Sequence, residues 1–447
     1  MKPLSCRERL EQALSRISDP NGEGAKACLT VYSESARDVA DAADARARAG
    51  VSLGPLDGVT VSIKDLFDVA GEPTRAGSKI LAEEAGPAAA DALVVRRLRA
   101  GGAVIVAKTN MTEFALGAIG ANPHFGTPAN PRDRARVPGG SSSGAAVTVG
   151  DRMAEIAIGS DTGGSVRIPA ALCGIVGFKP SRVRVPTAGA FPLSTSLDSI
   201  GPLANGVADC AKADAVMAGA QFTPLEALPL AGLRFGIAQG FPLEHLDETV
   251  AAAFDAATER LAGAGVRLTD EPIPLFDEMR QVNAYGGIVQ PEAYAIHQDR
   301  VKRRAADIDP NIRVRLERGG AVSAADYINM IYARERLVRA MDCRLSGLDA
   351  LIMPTAGIVA PKIADVANAE TFAKSNTMLL RNTSIGNFFD LCGISLPLPA
   401  KLPVGLMLLS RNGTDVTLLG VAAASVVRVR VGAVFAGLVR TLAATAP

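Results

Sequence analysis

The stretch from Pro138 to Pro169, PGGSSSGAAVTVGDRMAEIAIGSDTGGSVRIP, is abnormally rich in glycine and serine. Such a composition could mark a flexible linker, but the apolar segments AAVTV and AEIAI that interrupt it are typical of ordered structure. Glycines are useful where backbone N–H groups must converge on a ligand without side chains between them. Here they lead into TGGS, which would set Ser165 beside three consecutive backbone donors. The stretch therefore predicts an ordered loop that faces a ligand.

Short apolar runs alternate with helical patterns outside this stretch. VTVSI (59–63) and AVIVA (103–107) are predicted strands, and DALVVRRLRA (91–100) is a predicted helix between them. Farther along, LRFGIA, VRL, LIMP and VGLMLL are predicted strands, and a capping box at Ser323 predicts a helix that runs to Leu345. No segment resembling a linker separates these parts. The order therefore predicts one compact α/β unit with helices on the faces of a sheet.

Length and charge exclude several classes of function. The chain has 447 residues and a mass of 46.1 kDa, which is enough for a large buried core. Its 47 lysines and arginines nearly balance its 46 aspartates and glutamates, so the formal charge is +1. A charge this close to zero provides no field that would recruit nucleic acid or an anionic membrane. Aromatic residues make up only 4% of the chain, which argues against a platform for stacking bases.

The cysteines and histidines restrict the chemistry further. The six cysteines form no C-x-x-C pair and lack the density of a disulfide scaffold, so we expect reduced thiols in a cytoplasmic protein. None of the three histidines lies at metal-ligand spacing from another histidine or a cysteine, so no such metal site is expected. The charged N-terminus does not resemble a secretory signal. Arg428 and Arg430 interrupt the late apolar stretch, which favours a buried helix over a membrane span.

Two familiar motifs are matched only in part. GSSSG (140–144) fits the G-x-S-x-G elbow with Ser142 as the nucleophile, but no strand is predicted before it and few histidines follow it. GAVIVAKT (102–109) approaches a phosphate-binding loop but carries Ala107 where a glycine is needed, and its middle resembles a strand. Neither a nucleophile elbow nor a phosphate-binding loop is therefore well supported by these segments.

Lys64 follows the strand VTVSI directly and is a candidate base. A lysine that is buried at the end of an apolar strand has a lowered pKa, because burial disfavours its charged form, and a neutral amine is a general base. Asp65 should point to the opposite face of the extended segment and so need not keep Lys64 protonated. The alternative is an ordinary edge lysine that reaches solvent.

Five glycine-rich blocks resemble the amidase signature family in their order and spacing. They are GPLDGVTVSIKDLFDVAG, GGAVIVAKTNMTEFALG, NPHFGTPANP, PGGSSSGAA and GSDTGGSVRIPAALCGIVGFKPS. The resemblance is nearly unbroken from Gly54 to about Pro202 and looser beyond. It implies an α/β fold in which residues 1–447 form a single large domain, with a central mixed β-sheet covered by helices on both faces. The signature core is expected at about 54–202, and N-terminal helices are expected in 1–50.

The resemblance also implies the catalytic groups. The Ser-cisSer-Lys triad of the family maps onto Lys64, Ser141 and Ser165, and the spacing of the two serines is 165 − 141 = 24, as the family pattern requires. Ser165 would be the nucleophile, and Ser141, held by a cis peptide bond, would relay its proton towards neutral Lys64. Neither a metal ion nor an organic cofactor is expected.

Residues around the triad have expected supporting roles. The backbone N–H groups of four consecutive residues are the expected oxyanion hole: Thr162, Gly163, Gly164 and Ser165. Ser142 is expected to cap the segment that follows it rather than to take part in the chemistry. Asp161 and Arg167 are expected to form a pair that braces the loop.

The implied activity is hydrolysis of a linear carboxamide to a carboxylate and ammonia or an amine, through an acyl-enzyme on Ser165. In the family that the chain resembles, the segment from Met111 to Asn122 helps to form the wall of the pocket. Here it is small and apolar apart from Glu113, which favours a compact neutral substrate. Aliphatic amides, aryl amides and carboxylated urea derivatives all remain open. The expected partner is a small-molecule amide, with neither nucleic acid nor a membrane, and a homodimer is expected on the base rate for soluble oligomers.

Two other functions compete with a free-standing hydrolase. One is the A subunit of a glutamyl-tRNA(Gln)/aspartyl-tRNA(Asn) amidotransferase, which releases ammonia from glutamine and works with a partner. FALGAIGANPHFG and VRIPA stand here where that subunit usually carries a more polar block and a glutamine after the arginine. The other is a catalytically silent binding protein, which would have no reason to retain all three residues of the triad.

Overall fold

The computed structural model of the chain describes residues 4–226, 228–284 and 286–443, with residues 430–443 described by their helical backbone alone. An eleven-stranded β-sheet runs through this part of the chain. Its strands are β1 (Cys28–Val31), β2 (Thr60–Lys64), β3 (Val104–Thr109), β4 (Ile156–Asp161), β5 (Val176–Lys179), β6 (Ser199–Ala204), β7 (Arg234–Ala238), β8 (Arg267–Glu271), β9 (Ala350–Pro354), β10 (Cys392–Leu398) and β11 (Val404–Ser410).

The sheet is mixed, as predicted. Its spatial order is β1-β3-β2-β4-β6-β5-β10-β11-β9-β7-β8. The pairs β2–β3, β2–β4, β7–β8 and β7–β9 are parallel. The other six pairs are antiparallel. Strands from the first half of the chain thus continue directly into strands from the second half, and both halves share one sheet.

Helices cover both faces of this sheet. They are α1 (Cys6–Ile17), α2 (Gly24–Ala27), α3 (Ser33–Arg48), α4 (Lys79–Glu84), α5 (Leu93–Ala100), α6 (Ser143–Gly150), α7 (Arg167–Cys173), α8 (Val207–Ala218), α9 (Glu248–Gly263), α10 (Leu275–Val282), α11 (Val289–Arg304), α12 (Pro310–Gly320), α13 (Ala324–Leu345), α14 (Ala369–Phe388) and α15 (Asp415–Ala443). Ile156 and Ile158 of β4 pack in one apolar cluster with residues of α5 and α8. Ala157 between them packs with residues of α6 and α7, since alternate side chains of a strand point to opposite faces.

Most predicted elements are present. The predicted strands after Gly54 correspond to β2, β3, β7, β8, β9 and β11, and α13 begins after Ser323, whose hydroxyl accepts the N–H of Asp326. The first 50 residues contain the two expected helices, α1 and α3, but also α2 and the edge strand β1, which the sequence did not indicate. The late apolar stretch lies in α15, which is buried at Leu418 and Val429; its side chains beyond that lie outside the described residues. No helix within the described residues is long and apolar enough to cross a membrane.

The sheet also positions the candidate site. Lys64 is the last residue of β2 and Asp161 is the last residue of β4, and these two strands are parallel neighbours. The carboxyl ends of parallel strands meet at the same edge of a sheet, so both residues lie at one edge. The chain after β4 turns there into α7, and the loop before α6 reaches the same place.

Candidate active site

Lys64 is fully buried and contacts two serine hydroxyls. Its Nζ donates to the Oγ of Ser141 at 2.7 Å and to the Oγ of Ser160 at 2.9 Å. Burial lowers the pKa of Lys64 from 10.5 to about 7, against the opposing charges of Asp198 and Asp161. The amine is therefore partly neutral near pH 7, which a general base requires.

Asp65 points away from Lys64, as the extended backbone predicts. Its carboxylate lies 3.6 Å from the Nζ of Lys108 and 3.6 Å from a guanidinium nitrogen of Arg75. Burial raises the pKa of Asp65 to about 6, against the charges of Lys108 and Arg75. The carboxylate of Asp65 therefore pairs with these two cations and does not contact Lys64.

Ser141 lies in the loop that leads into α6, and the Gly140–Ser141 peptide bond is cis. The loop is held from two sides: the N–H of Gly140 donates to the carbonyl of Ala118 at 2.7 Å, and the carbonyl of Ser141 accepts the N–H of Thr112 at 3.1 Å. A Cβ on Gly140 would lie 2.7 Å from the backbone nitrogen of Gly120, so only glycine fits between these segments. The hydroxyl of Ser141 is thereby fixed against Lys64.

Ser142 stands directly before α6, but its side chain makes no capping hydrogen bond to that helix. Its hydroxyl instead donates to the carbonyl of Ser160 at 3.4 Å, and its N–H donates to the carbonyl of Ser165 at 3.4 Å. The side-chain cap expected from the sequence is therefore absent. Ser142 links the loop of Ser141 to β4 and to the loop that carries Ser165.

The loop between β4 and α7 carries Ser165 and the three residues before it. Ser165 is nearly buried, at 5% exposure. The carbonyl of Gly163 accepts the hydroxyl of Thr383 at 2.7 Å, and the hydroxyl of Thr162 donates to Asp198 at 2.6 Å. Gly164 has a φ of +135°, a conformation that favours glycine. Contacts from two distant parts of the chain therefore fix this loop.

Asp161 and Arg167 lie together beneath the loop. The guanidinium of Arg167 donates to both carboxylate oxygens of Asp161, at 3.0 Å and 2.9 Å, and both side chains are fully buried. Asn387 completes the network, because it accepts from Arg167 at 2.7 Å and donates to Asp161 at 2.9 Å. Burial alone would raise the pKa of Asp161, but the charge of Arg167 and these hydrogen bonds hold it at about 2.

Four residues of the site were not singled out from the sequence. Ser160 precedes Asp161 on β4, and Asp198 precedes β6. Thr383 and Asn387 lie on α14, 220 and 226 residues from the loop groups they contact. The signal that could have identified the last two is their polarity on the buried face of a helix, where an unpaired polar group is costly.

A cavity of about 330 Å³ adjoins the site on the side of Ser160. Its walls are mainly apolar, with Leu66, Ala115 and Phe191 among them, and Asp198 and Arg182 also line it. Ala115 belongs to the 111–122 segment that we expected to form a wall. The one acid of that segment, Glu113, is buried away from the triad: it accepts the N–H of Asp309 at 2.7 Å and lies 3.2 Å from His124. Within the described part of the chain, no group of three His, Cys, Asp or Glu residues could hold a metal ion.

Comparison with known proteins shows similarity over most of the chain. The model of the Amidase family matches residues 8–419. A 2-amino-5-chloromuconic acid deaminase of Comamonas testosteroni is 37% identical over 394 residues, which cover 87% of this chain and 85% of that protein. The A subunit of a glutamyl-tRNA(Gln) amidotransferase of Anaeromyxobacter dehalogenans (strain 2CP-C) is 35% identical, and the match covers 95% of this chain and 93% of that protein.

Solved structures agree with the sequence relatives. A crystal structure of an amidase superposes with a TM-score of 0.85 at 34% identity, covering 95% of this chain and 96% of that one. The family match includes every strand of the described sheet, from β1 to β11. The relatives above 30% identity cover most of the chain and most of their own length. The chain therefore belongs to the amidase family, whose enzymes act on the C–N bonds of amides.

Proposed function

We propose that this enzyme hydrolyses a small linear carboxamide through an acyl-enzyme on Ser165, with Ser141 as proton relay and Lys64 as base. The observation that carries the proposal is the contact of 2.7 Å between the Nζ of Lys64 and the Oγ of Ser141. A lysine with a pKa of about 7 can accept a proton at neutral pH, and a serine hydroxyl can pass one on. The proposal places the chemistry within residues 54–202 of a single domain.

In the acylation step, the Oγ of Ser165 attacks the amide carbonyl and its proton moves to Ser141 while the proton of Ser141 moves to Lys64. The C–N bond then breaks, and the proton returns along the same path to the leaving nitrogen, which departs as ammonia or an amine. In the second step, water attacks the ester on Ser165 with the same relay, and the carboxylate leaves. A serine needs such an activating group because its hydroxyl is a weak nucleophile.

The negative oxygen of the tetrahedral intermediate requires backbone donors. We assign this role to the N–H groups of four consecutive residues: Thr162, Gly163, Gly164 and Ser165. Removal of one donor from a comparable oxyanion hole costs roughly 2.7 to 4 kcal/mol of transition-state stabilisation. The buried pair of Asp161 and Arg167 would brace this loop, and Ser142 would hold it against the loop of Ser141. No step uses a metal ion or an organic cofactor.

The adjoining cavity, which is linked to Lys64 through Ser160, is our candidate pocket for the acyl group, and its mainly apolar walls suit a compact, largely neutral one. Aliphatic amides and aryl amides fit this class, and carboxylated urea derivatives, which carry a charge, stay open as the third alternative. The relatives differ in the activities for which they are named: one is a deaminase of 2-amino-5-chloromuconic acid, and a solved neighbour at 26% identity is a peptide amidase from Stenotrophomonas maltophilia. The substrate is therefore proposed by class, and a panel of amides has to identify it.

A second candidate function is the A subunit of an amidotransferase. The observation that favours it is the 35% identity to the A subunit of a glutamyl-tRNA(Gln) amidotransferase over 95% of the chain. Such a subunit would release ammonia from glutamine and would need a partner protein. FALGAIGANPHFG (114–126) and VRIPA (166–170) favour the free-standing hydrolase, because the A subunit usually carries a more polar block and a glutamine after the arginine there.

The deciding experiment measures ammonia release by the purified chain on aliphatic, aryl and urea-derived amides and on glutamine, with Ser165→Ala as control. Turnover of a simple amide by the wild type only is the expected result. Activity on glutamine alone, or on no amide, would favour the partner-dependent subunit.

A homodimer and a cytoplasmic location also remain predictions. All six cysteines are free and five are buried, which supports a reducing compartment. Light scattering of the purified protein would test the dimer.

A further inference from the structure

Asp198 is an acid of the site to which the proposed chemistry assigns no role. It immediately precedes β6 and lines the 330 Å³ cavity together with Ser160, whose hydroxyl contacts Lys64. One of its carboxylate oxygens accepts the hydroxyl of Thr162 at 2.6 Å. The other accepts the N–H groups of Leu193 at 2.9 Å and Ser194 at 3.1 Å. All of these donors are neutral.

Asp198 therefore differs from Asp161, the other acid that acts on Lys64. Asp161 is paired with Arg167 at 2.9 Å, and the two charges largely cancel. Burial raises the pKa of Asp198, but its three hydrogen bonds favour the charged form. Asp198 has no ion pair within 4 Å among the described residues, so no adjacent cation cancels that charge. In the poorly hydrated surroundings of Lys64, an uncancelled charge acts more strongly than it would in water.

The turn that carries Asp198 is itself held by a second acid. Glu292 of α11 accepts the hydroxyls of Ser194 and Ser196, and it also accepts the hydroxyl of Tyr327 at 2.7 Å. These contacts fix the turn between residues 193 and 198 against α11 and α13. Among the described residues, Glu292 acts on Asp198 from behind this turn, and Arg182 is a cation that lines the same cavity.

We propose that Asp198 is a positioning residue, which fixes the Thr162 end of the Ser165 loop and supplies the uncancelled negative charge that Lys64 faces. This inference rests on the proposed function, because both effects act through the loop and the base named there. Through Thr162, Asp198 orients the first N–H group of the oxyanion hole. Through its charge, it sets the pH at which Lys64 becomes neutral. The link from Tyr327 through Glu292 ties both effects to the second half of the chain.

Asp198→Asn tests both effects at once. Loss of the negative charge makes protonated Lys64 less favourable, so the acid limb of kcat/KM should move to lower pH by roughly one pH unit. The amide also offers one oxygen where the carboxylate offers two, so either Thr162 or the N–H groups of residues 193 and 194 meet an NH2 donor instead of an acceptor. The loop should shift as a result, so kcat at the pH optimum should fall about tenfold while KM changes little, as expected when a reacting group is misplaced. A merely structural residue would not move the acid limb.

Thr162→Val separates the two effects, because it removes the hydroxyl but keeps the charge of Asp198. It should reproduce the fall in kcat and leave the acid limb where the wild type has it. Asp277→Asn is the matched control, since Asp277 is an exposed acid on α10 whose one ion pair among the described residues is with Arg280, at 3.6 Å. This control should behave as the wild type in both measurements.

The inference is overturned if Asp198→Asn keeps the acid limb and the kcat of the wild type. Should Asp198→Asn not fold, Thr162→Ser and Thr162→Val decide instead: loss of kcat in the valine variant alone supports the contact, and equal activity in both refutes it. Failure of the proposed function would look different, since the wild type would then hydrolyse no amide or Ser165→Ala would retain activity.

Discussion

The ammonium nitrogen of Lys64 lies 2.7 Å from the hydroxyl oxygen of Ser141, although 77 residues separate them in the chain. This contact forms because β2 ends at one edge of the sheet, and the loop that leads into α6 reaches the same edge. Lys64 is buried and has no direct acid partner, so its charged form is poorly stabilised. Its pKa therefore falls to about 7. The fold thus provides a basic group beside a serine, which is the central element of the proposed mechanism.

The first prediction concerns the pH dependence of the rate. Lys64 acts as a base only when neutral, so activity should be present above its pKa of about 7 and should be lost as the pH falls below it. In that acid range kcat/KM should drop about tenfold for each pH unit. The measurement is a profile of kcat/KM from pH 5 to pH 9, and a rate that stays flat down to pH 5 would argue against the lysine base.

The second prediction compares two adjacent serines. Ser141→Ala removes the hydroxyl that contacts Lys64, so kcat should fall by roughly 10² to 10⁴, the range for loss of a general acid–base group. Ser142→Ala removes a weak contact of 3.4 Å to a carbonyl and should change kcat much less. The thermal midpoint of both variants shows whether the fold is retained. If Ser142→Ala were the more damaging change, the relay would be assigned to the wrong serine.

The sequence indicated those parts of the candidate site that stand within distinctive local patterns, and their catalytic roles remain predictions. Lys64, Ser141 and Ser165 sit at strand and helix junctions whose glycine-rich patterns are visible locally. Thr383 and Asn387 could not be placed in this way, because they contact Gly163 and Asp161 across 220 and 226 residues of chain, and no local pattern indicates a pairing over that distance. The same holds for β1, a four-residue edge strand whose pairing with β3 no local pattern indicates.

The third prediction concerns the buried network beneath the loop. Arg167→Met leaves the carboxylate of Asp161 buried without its cation, which should lower the free energy of unfolding by roughly 3 to 5 kcal/mol. Urea denaturation at pH 7 measures this loss. The control is Arg280→Met, because Arg280 is 60% exposed and its pair with Asp277 should contribute little. Equal stability of the two variants would contradict a bracing role for Arg167.

The stability that the buried pair of Asp161 and Arg167 contributes should depend on pH. The pKa of Asp161 is about 2 in the folded protein and 3.8 without the fold, so its stabilisation is complete above about pH 4 and is lost as the pH falls through 2. The difference in unfolding free energy between the wild type and Asp161→Asn should therefore shrink between pH 4 and pH 2. Urea denaturation at a series of pH values tests this, and a constant difference over that range would contradict it.

The fourth prediction concerns the contact between α14 and the loop. Thr383→Val removes the donor to the carbonyl of Gly163, which should lower the free energy of unfolding by about 0.5 to 1.5 kcal/mol and lower kcat more than it raises KM. Thr377→Val is the control on the same helix, since Thr377 is exposed and its hydroxyl donates to the carbonyl of Ala373 within the helix itself. Identical kinetics of the two variants would show that this contact does not position the loop.

The central claim is that Ser165 carries the acyl group during turnover. The most direct measurement is to quench the enzyme with acid while it hydrolyses an amide from the panel and to determine the mass of the protein and of its peptides. The account predicts an added mass equal to the acyl group on the peptide that contains Ser165, and no such mass in Ser165→Ala. An acyl group on Ser141 or Ser142, or steady turnover by Ser165→Ala, would contradict it.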